Sequence, residues 1–258
     1  MVFAEKVFER YFLGYLADNK ISKPSRIEEV YASVYAEWKC KPSDDLGGDF
    51  PLGYIAGLYA DGRFADYLVE LCESKLKAGD ISLEFIASLP ADEKVGLLKT
   101  VFKKGGAASR LFAVSAAESE TDPAFTEFLA DIIFDHNEYE RKITDAAFDA
   151  LKTERTGLDS LILARTDGLR NIGDEELKEM LLDILSGYGG EIVKNAVTEG
   201  LLESGNVILY ANLLGRCGDG GSAETLTEYA RSKELTRAEF IEIRNAVERL
   251  GGELTEEF

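Results

Sequence analysis

His136 is the only histidine of the chain, so it is the first side chain to consider for acid–base chemistry. It follows Asp135 and precedes Glu140 by about one helical turn, so one interpretation is a carboxylate–histidine pair that acts as a base or binds a metal. The alternative is that a histidine at a helix end complements the helix dipole. Because no second histidine and no nearby cysteine accompanies it, we favour the alternative and predict no catalytic residue.

The cysteines and the one acidic loop also give little support to a metal or redox site. Cys40, Cys72 and Cys217 share no metal-binding or disulfide spacing, so we expect small buried side chains in a reducing cytoplasm. The loop 44–49 carries three carboxylates but lacks the alternating oxygen ligands and the distal Glu of a calcium loop. A turn before a helix that begins at Pro51 explains it better. With no phosphate-binding or nucleophile motif either, we predict no metal and no cofactor.

Composition and charge narrow the function classes further. The chain has 258 residues, 45% of them hydrophobic and 30% charged, which is typical of a folded protein. It contains no uncharged apolar run of roughly 18 residues, and charges interrupt the N-terminal segment, so we expect a cytoplasmic protein without membrane contact. The net charge is −19; residues 1–110 hold 15 basic and 17 acidic residues, and residues 111–258 hold 14 and 31. This acidity disfavours nucleic acid and allows a basic protein partner, although it also serves solubility alone.

Helical periodicity recurs along nearly the whole chain, and strand-like alternation is scarce. Aligning the second helix of successive helix pairs yields an apolar anchor near each helix end, at intervals of 28 to 34 residues. Two helices per period of this size are typical of an α-solenoid, in which each hairpin buries its face only against its neighbours. All five prolines lie at or before residue 123, so the later helices should be delimited by glycine and N-caps. The seven anchors are Tyr59, Leu89, Ala117, Leu151, Leu185, Leu214 and Val247.

The C-terminal half also resembles a known family. Residues 211–219 read Ala-Asn-Leu-Leu-Gly-Arg-Cys-Gly-Asp, a helix follows at 224–230, and residues 246–252 read Ala-Val-Glu-Arg-Leu-Gly-Gly. These segments are similar to HEAT-like repeats of the bilin-lyase type, over roughly residues 140–252. The resemblance implies a curved scaffold that binds proteins through its row of second helices. Some relatives act on tetrapyrroles, and distant ones excise alkylated bases from DNA.

We therefore predict an all-α protein: a right-handed α-solenoid of about seven HEAT-like hairpins with an aromatic-rich helical cap. The cap is expected over residues 1–48 and the repeats over residues 49–258, in one continuous domain. Half of the 26 aromatic residues fall within the first 67 positions. We interpret them as a cap that covers the first repeat, and a pocket for a small ligand or peptide is the alternative.

A polar position recurs two residues before the last four anchors and forms the predicted interaction surface. If the second helices stack side by side, these residues make a stripe that accepts hydrogen bonds from a partner. The alternative is an ordinary solvated helix face. The expected function is a protein-binding scaffold or adaptor rather than an enzyme; the alternatives are a chromophore-handling or DNA-repair-type enzyme and a small-ligand regulatory module. The predicted surface comprises Asp145, Asp149, Glu179, Asp183, Asn212 and Asn245.

Overall fold

The computed structural model describes residues 1–74, 79–170 and 172–254, and this part of the chain is helical as predicted. An all-α fold is thereby confirmed. Within the described ranges no strand forms, and an isolated bridge pairs Ser43 with Asp49. None of the helices in these ranges is long and apolar enough to cross a membrane.

The chain divides into two compact units, residues 1–124 and residues 125–258. The predicted boundary after residue 48 lies inside the first unit. A cap over residues 1–48 stays a prediction, because a cap is itself expected to pack on the helices that follow it.

Seven α-helices begin and end in the described part of the first unit, and proline starts two of them. Pro24 and Pro51 occupy first-turn positions, where a missing N–H costs no hydrogen bond. The helices are α1 (Ala4–Asp18), α2 (Pro24–Lys39), α3 (Pro51–Ala60), α4 (Phe64–Glu73), α5 (Asp80–Ser88), α6 (Ala91–Lys104) and α7 (Ala107–Glu118).

The core of the first unit joins α1 to helices far along the sequence. Helix α1 packs against α2 and α5, and α4 packs against α6 and α7. Tyr67 of α4 is fully buried, and its hydroxyl accepts a 3.0 Å hydrogen bond from the backbone N–H of Ala4. The start of α1 is therefore held by a side chain 63 residues away.

The second unit uses side-chain caps and glycine in place of proline to delimit its later helices. Asp174 and Asp219 each accept a hydrogen bond from a first-turn N–H, and Thr236 with Glu239 forms a capping box. The helices are α8 (Pro123–Phe134), which starts just before the unit, α9 (Arg141–Leu151), α10 (Leu158–Arg165), α11 (Glu175–Ser186), α12 (Glu191–Glu203), α13 (Val207–Cys217), α14 (Gly220–Ser232) and α15 (Arg237–Arg249).

Alternate helices pack on one another in the second unit. Helix α9 packs on α11, α11 on α13 and α13 on α15, while α12 packs against α11 and α13, and α14 against α13 and α15. The predicted anchors of the four alternate helices are all buried: Leu151, Leu185, Leu214 and Val247. These four side chains therefore face the core, and the residues two positions earlier lie toward another side of each helix.

Candidate functional site

The predicted stripe lies on the four alternate helices of the second unit. Asp149, Asp183, Asn212 and Asn245 occupy the same register position on α9, α11, α13 and α15, which pack in that order. We call these four residues the polar stripe. Asp149 is exposed, and the other three are partly buried.

Two further predicted residues lie one helical turn before the stripe. Asp145 is exposed, and its Oδ1 lies 3.9 Å from Nε of Arg141 on the same helix. Glu179 is partly buried, and its Oε1 accepts a 3.1 Å hydrogen bond from Nδ2 of Asn206, just before α13. The structure therefore brings Glu179 into contact with a neighbouring helix end, whereas Asp145 points to solvent.

Asp183 of α11 is paired with side chains of the α9 and α13 regions and is not available to solvent as Asp149 is. Its side chain is 17% exposed, and Oδ2 lies 2.9 Å from Nζ of Lys152, the C-cap residue that follows α9. Arg216 of α13 forms an ion pair with Oδ1 and also donates from Nη2 to the Asp183 carbonyl at 3.1 Å. A carboxylate between two cations is held by charge-assisted hydrogen bonds, so Asp183 stabilises the packing of α9, α11 and α13.

A second cross-link joins the last two helices of the row. Nδ2 of Asn212 donates to Oε1 of Glu242 on α15 at 2.8 Å, and Nη2 of Arg249 lies 3.3 Å from the same oxygen. Sequence reasoning missed Lys152, Arg216 and Arg249, which we call the basic band. A signal was present, since each follows the stripe residue of its helix by three or four positions. Cations in this place complement the C-terminal ends of the helices.

Two exposed isoleucines complete the surface. Ile208 and Ile241 are 46% and 39% exposed and lie four residues before Asn212 and Asn245, on the same helix faces. Helix α9 therefore presents exposed carboxylates, whereas the α13–α15 end presents amide and apolar groups. Sequence reasoning did not single out these isoleucines, although their spacing to the stripe was available.

The aromatic residues at the start of the chain form a compact group around Phe8. The ring centroids of Phe12, Tyr31, Tyr35 and Trp38 lie 5.0–5.7 Å from that of Phe8, in stacked, tilted and edge-to-face arrangements. We call these five residues the aromatic cluster. Helices α1 and α2 supply all of them, because their spacings of three or four residues place them on facing sides of the two helices.

The aromatic cluster borders a cavity of about 240 Å³ that the first residues of α5 also line. The carboxylates of Glu5, Glu9 and Asp80 belong to its lining. Tyr31 donates a 2.9 Å hydrogen bond to Oδ2 of Asp80, and burial together with this carboxylate raises the pKa of Tyr31 to about 12. The five rings of the cluster therefore line an open space as well as packing on one another.

The remaining candidates do not assemble into a reactive site. His136 is buried, and its Nε2 lies 3.5 Å from Oδ2 of Asp174, the N-cap of α11. Burial raises the pKa of the Cys72 thiol to about 11, which disfavours the reactive thiolate. In the acidic loop, Oδ2 of Asp45 lies 3.2 Å from Nη2 of Arg10. In the described part of the chain, no three His, Cys, Asp or Glu side chains are placed to hold a metal ion.

Comparisons of the chain with protein-family models, with curated proteins and with solved structures found no match. Its function is therefore to be inferred from its own residues.

Proposed function

We propose that the protein is a helical-repeat scaffold that binds another protein through the surface formed by α9, α11, α13 and α15. The observation that carries the proposal is the common register of these helices. Each has a buried anchor and a polar residue two positions earlier, and each packs on the next. The intervening α12 and α14 contact the helices on both sides, which supports a HEAT-like solenoid for this part of the chain.

The chemistry of the surface indicates the kind of segment it binds. Asp145 and Asp149 are exposed on α9 and suit the basic side chains of a partner, whereas Ile208 and Ile241 suit its apolar side chains. Asp183 already pairs with Lys152 and Arg216, so its role is to hold the helices in register. The partner is a segment with basic residues toward α9 and apolar residues toward α15.

Charge removal tests the acidic end of this surface. The double variant Asp145→Asn, Asp149→Asn removes two exposed charges, and Glu224→Gln, Glu228→Gln makes the matched change on the exposed face of α14. Exposed ion pairs contribute ~0.2–1 kcal/mol each, so the first variant should weaken binding about two- to thirtyfold. The α14 variant should leave affinity unchanged.

A photo-crosslinking amino acid at position 208 tests the apolar end, with position 224 as its control. In lysate of the source cells, a protein should crosslink from position 208. The crosslink should be lost in the Asp145→Asn, Asp149→Asn background. It should also weaken as the salt concentration during irradiation is raised, because salt dissociates the complex. Equal crosslinking from position 224, or capture that ignores both the charges and the salt, would refute the proposed surface.

A further inference from the structure

The cavity beside the aromatic cluster is smaller than a pocket that encloses a whole drug-sized ligand. Its volume of about 240 Å³ lies below the roughly 300–1,000 Å³ of pockets that enclose whole drug-sized ligands. Trp38 is 2% exposed and Phe8 is buried, while Tyr31 at the mouth is 39% exposed. The lining therefore combines buried aromatic side chains with an accessible one, which suits a head group that enters from solvent.

The charged side chains of the lining indicate whether the bound head group is a cation or an anion. Glu5 accepts hydrogen bonds from the hydroxyls of Tyr67 and Ser82, and Asp80 accepts one from Tyr31; a hydroxyl brings no positive charge. Glu9 adds a third carboxylate at the exposed edge. The N-terminus of α5 also faces this region, but its dipole amounts to only about half a positive charge. Among the described residues of the lining, the carboxylates outweigh it, so this part of the cavity favours a cation.

The aromatic faces favour a particular kind of cation. A cation within about 6 Å of an aromatic centroid is attracted to the ring face, and alkylated ammonium groups gain most because their methyl groups also pack on the rings. The chain itself provides an example, since Nζ of Lys39 lies 5.7 Å from the centroid of Tyr35 while it pairs with Glu84. Lys39 itself is not part of the cavity lining.

We propose that this cavity binds the head group of an organic cation, with trimethylammonium as the best-fitting chemistry. The aromatic cluster contacts the methyl groups, and Glu5, Glu9 and Asp80 supply the opposite charge. The same head group occurs in small quaternary amines and in trimethylated lysine side chains. The proposal concerns the first unit alone, so it stands or falls independently of the protein-binding surface on α9–α15.

Trp38 provides the readout, because it is the only tryptophan of the chain and lines the cavity. Tetramethylammonium and choline should produce a saturable change in tryptophan fluorescence at constant ionic strength. The control is 3,3-dimethyl-1-butanol, in which an uncharged carbon replaces the nitrogen of choline, and it should bind at least about tenfold more weakly. Methyl-proton NMR of the same ligands detects binding that leaves the fluorescence unchanged.

Four results bear on the proposal: two would overturn it, and two would identify the source of the head group. Equal binding of choline and its uncharged analogue would show an apolar cavity without cation selectivity, and absence of saturable binding by both methods would show packing alone; either overturns it. A trimethyllysine peptide that binds more tightly than choline, while the unmodified peptide does not, would identify a protein as the source of the head group. The reverse order would identify a small molecule.

Two rim variants with matched controls locate the binding in the cavity. Tyr31→Leu removes one aromatic face, and Tyr15→Leu makes the same change on α1 outside the lining. Glu9→Gln removes an exposed carboxylate, and Glu28→Gln makes the same change on α2. Both rim variants should lower choline affinity about five- to thirtyfold, and both controls should retain it. Because Glu9 is exposed, its variant keeps the test decisive even if Tyr31→Leu fails to fold.

Discussion

Gly200 lies in the interior of α12, where alanine would ordinarily stabilise a helix by about 0.5–1 kcal/mol. The structure reverses that expectation, because a Cβ atom added there would lie 2.0 Å from Cε1 of Tyr210 and 2.5 Å from two other ring atoms. Carbon atoms in contact are normally about 3.5–4.0 Å apart. The substitution therefore requires α12 or the Tyr210 ring to move.

Tyr210 cannot easily leave its site. The side chain is fully buried, and its hydroxyl donates a 3.2 Å hydrogen bond to Oε1 of Glu175 on α11. Overpacking a core costs ~1–3 kcal/mol, and an overlap this large belongs at the upper end. After the helix gain of Gly200→Ala is subtracted, we expect a net loss of about 2 kcal/mol in the free energy of unfolding.

Urea denaturation followed by far-UV circular dichroism measures the effect, and hydrogen exchange on the amides of α12 and α13 assigns it to the second unit. Gly96→Ala is the control, since it lies in the interior of α6 and its added Cβ would meet no atom within 4 Å. Gly96→Ala should raise the free energy of unfolding by about 0.5–1 kcal/mol. In a Tyr210→Leu background, the loss in the free energy of unfolding caused by Gly200→Ala should shrink by at least about half. If Gly200→Ala stabilises as Gly96→Ala does, the packing of α12 on α13 described above is wrong.

Asp183→Asn should lower the free energy of unfolding by about 1 kcal/mol, because the ion pairs with α9 and α13 are lost. Asp149→Asn, at the same register position but exposed, should change it by less than about 0.5 kcal/mol, and equal effects in denaturation would contradict the cross-link. The Lys194 ammonium and the Ser222 N–H lower the pKa of Asp219 below its ordinary 3.8, so its contribution to stability is full above that value and is lost as pH falls through the lower folded-state pKa. Thermal unfolding at a series of pH values should therefore show the wild type and Asp219→Asn converging in acid, and a constant difference would exclude this linkage. Gly190→Ala should destabilise by about 1–3 kcal/mol, since its φ of 98° suits only glycine. Gly205→Ala, where the added Cβ meets open space, should be nearly neutral in the same denaturation assay.

The sequence alone predicted the helices of this protein well, because helical periodicity and capping are local. The helix expected to begin at Pro51 is α3, and the N-caps expected for the later helices include Asp174 at the start of α11. Leu151 and Val247, chosen as anchors from spacing alone, are both buried. A residue's side of a helix follows from counting along the chain at 3.6 residues per turn, so no knowledge of the neighbouring helices was needed.

The polar stripe was predictable as a row of positions but not as a set of contacts. Spacing placed Asp149 and Asp183 at equivalent positions, yet the first is exposed and the second lies between Lys152 and Arg216. The partners of Asp183 are 31 and 33 residues away in the chain, and helix packing decides whether such side chains meet.

The same division holds for the aromatic cluster. Its five rings could be identified from the sequence, since i, i+3 and i, i+4 spacing joins neighbours within α1 and within α2. The cavity beside them exists because α5 packs on α1 and brings Asp80 to Tyr31, 49 residues earlier. The sequence therefore determined which side chains each helix offers, whereas the tertiary structure alone decided which of them meet, because contacts between distant helices depend on packing that no local pattern encodes.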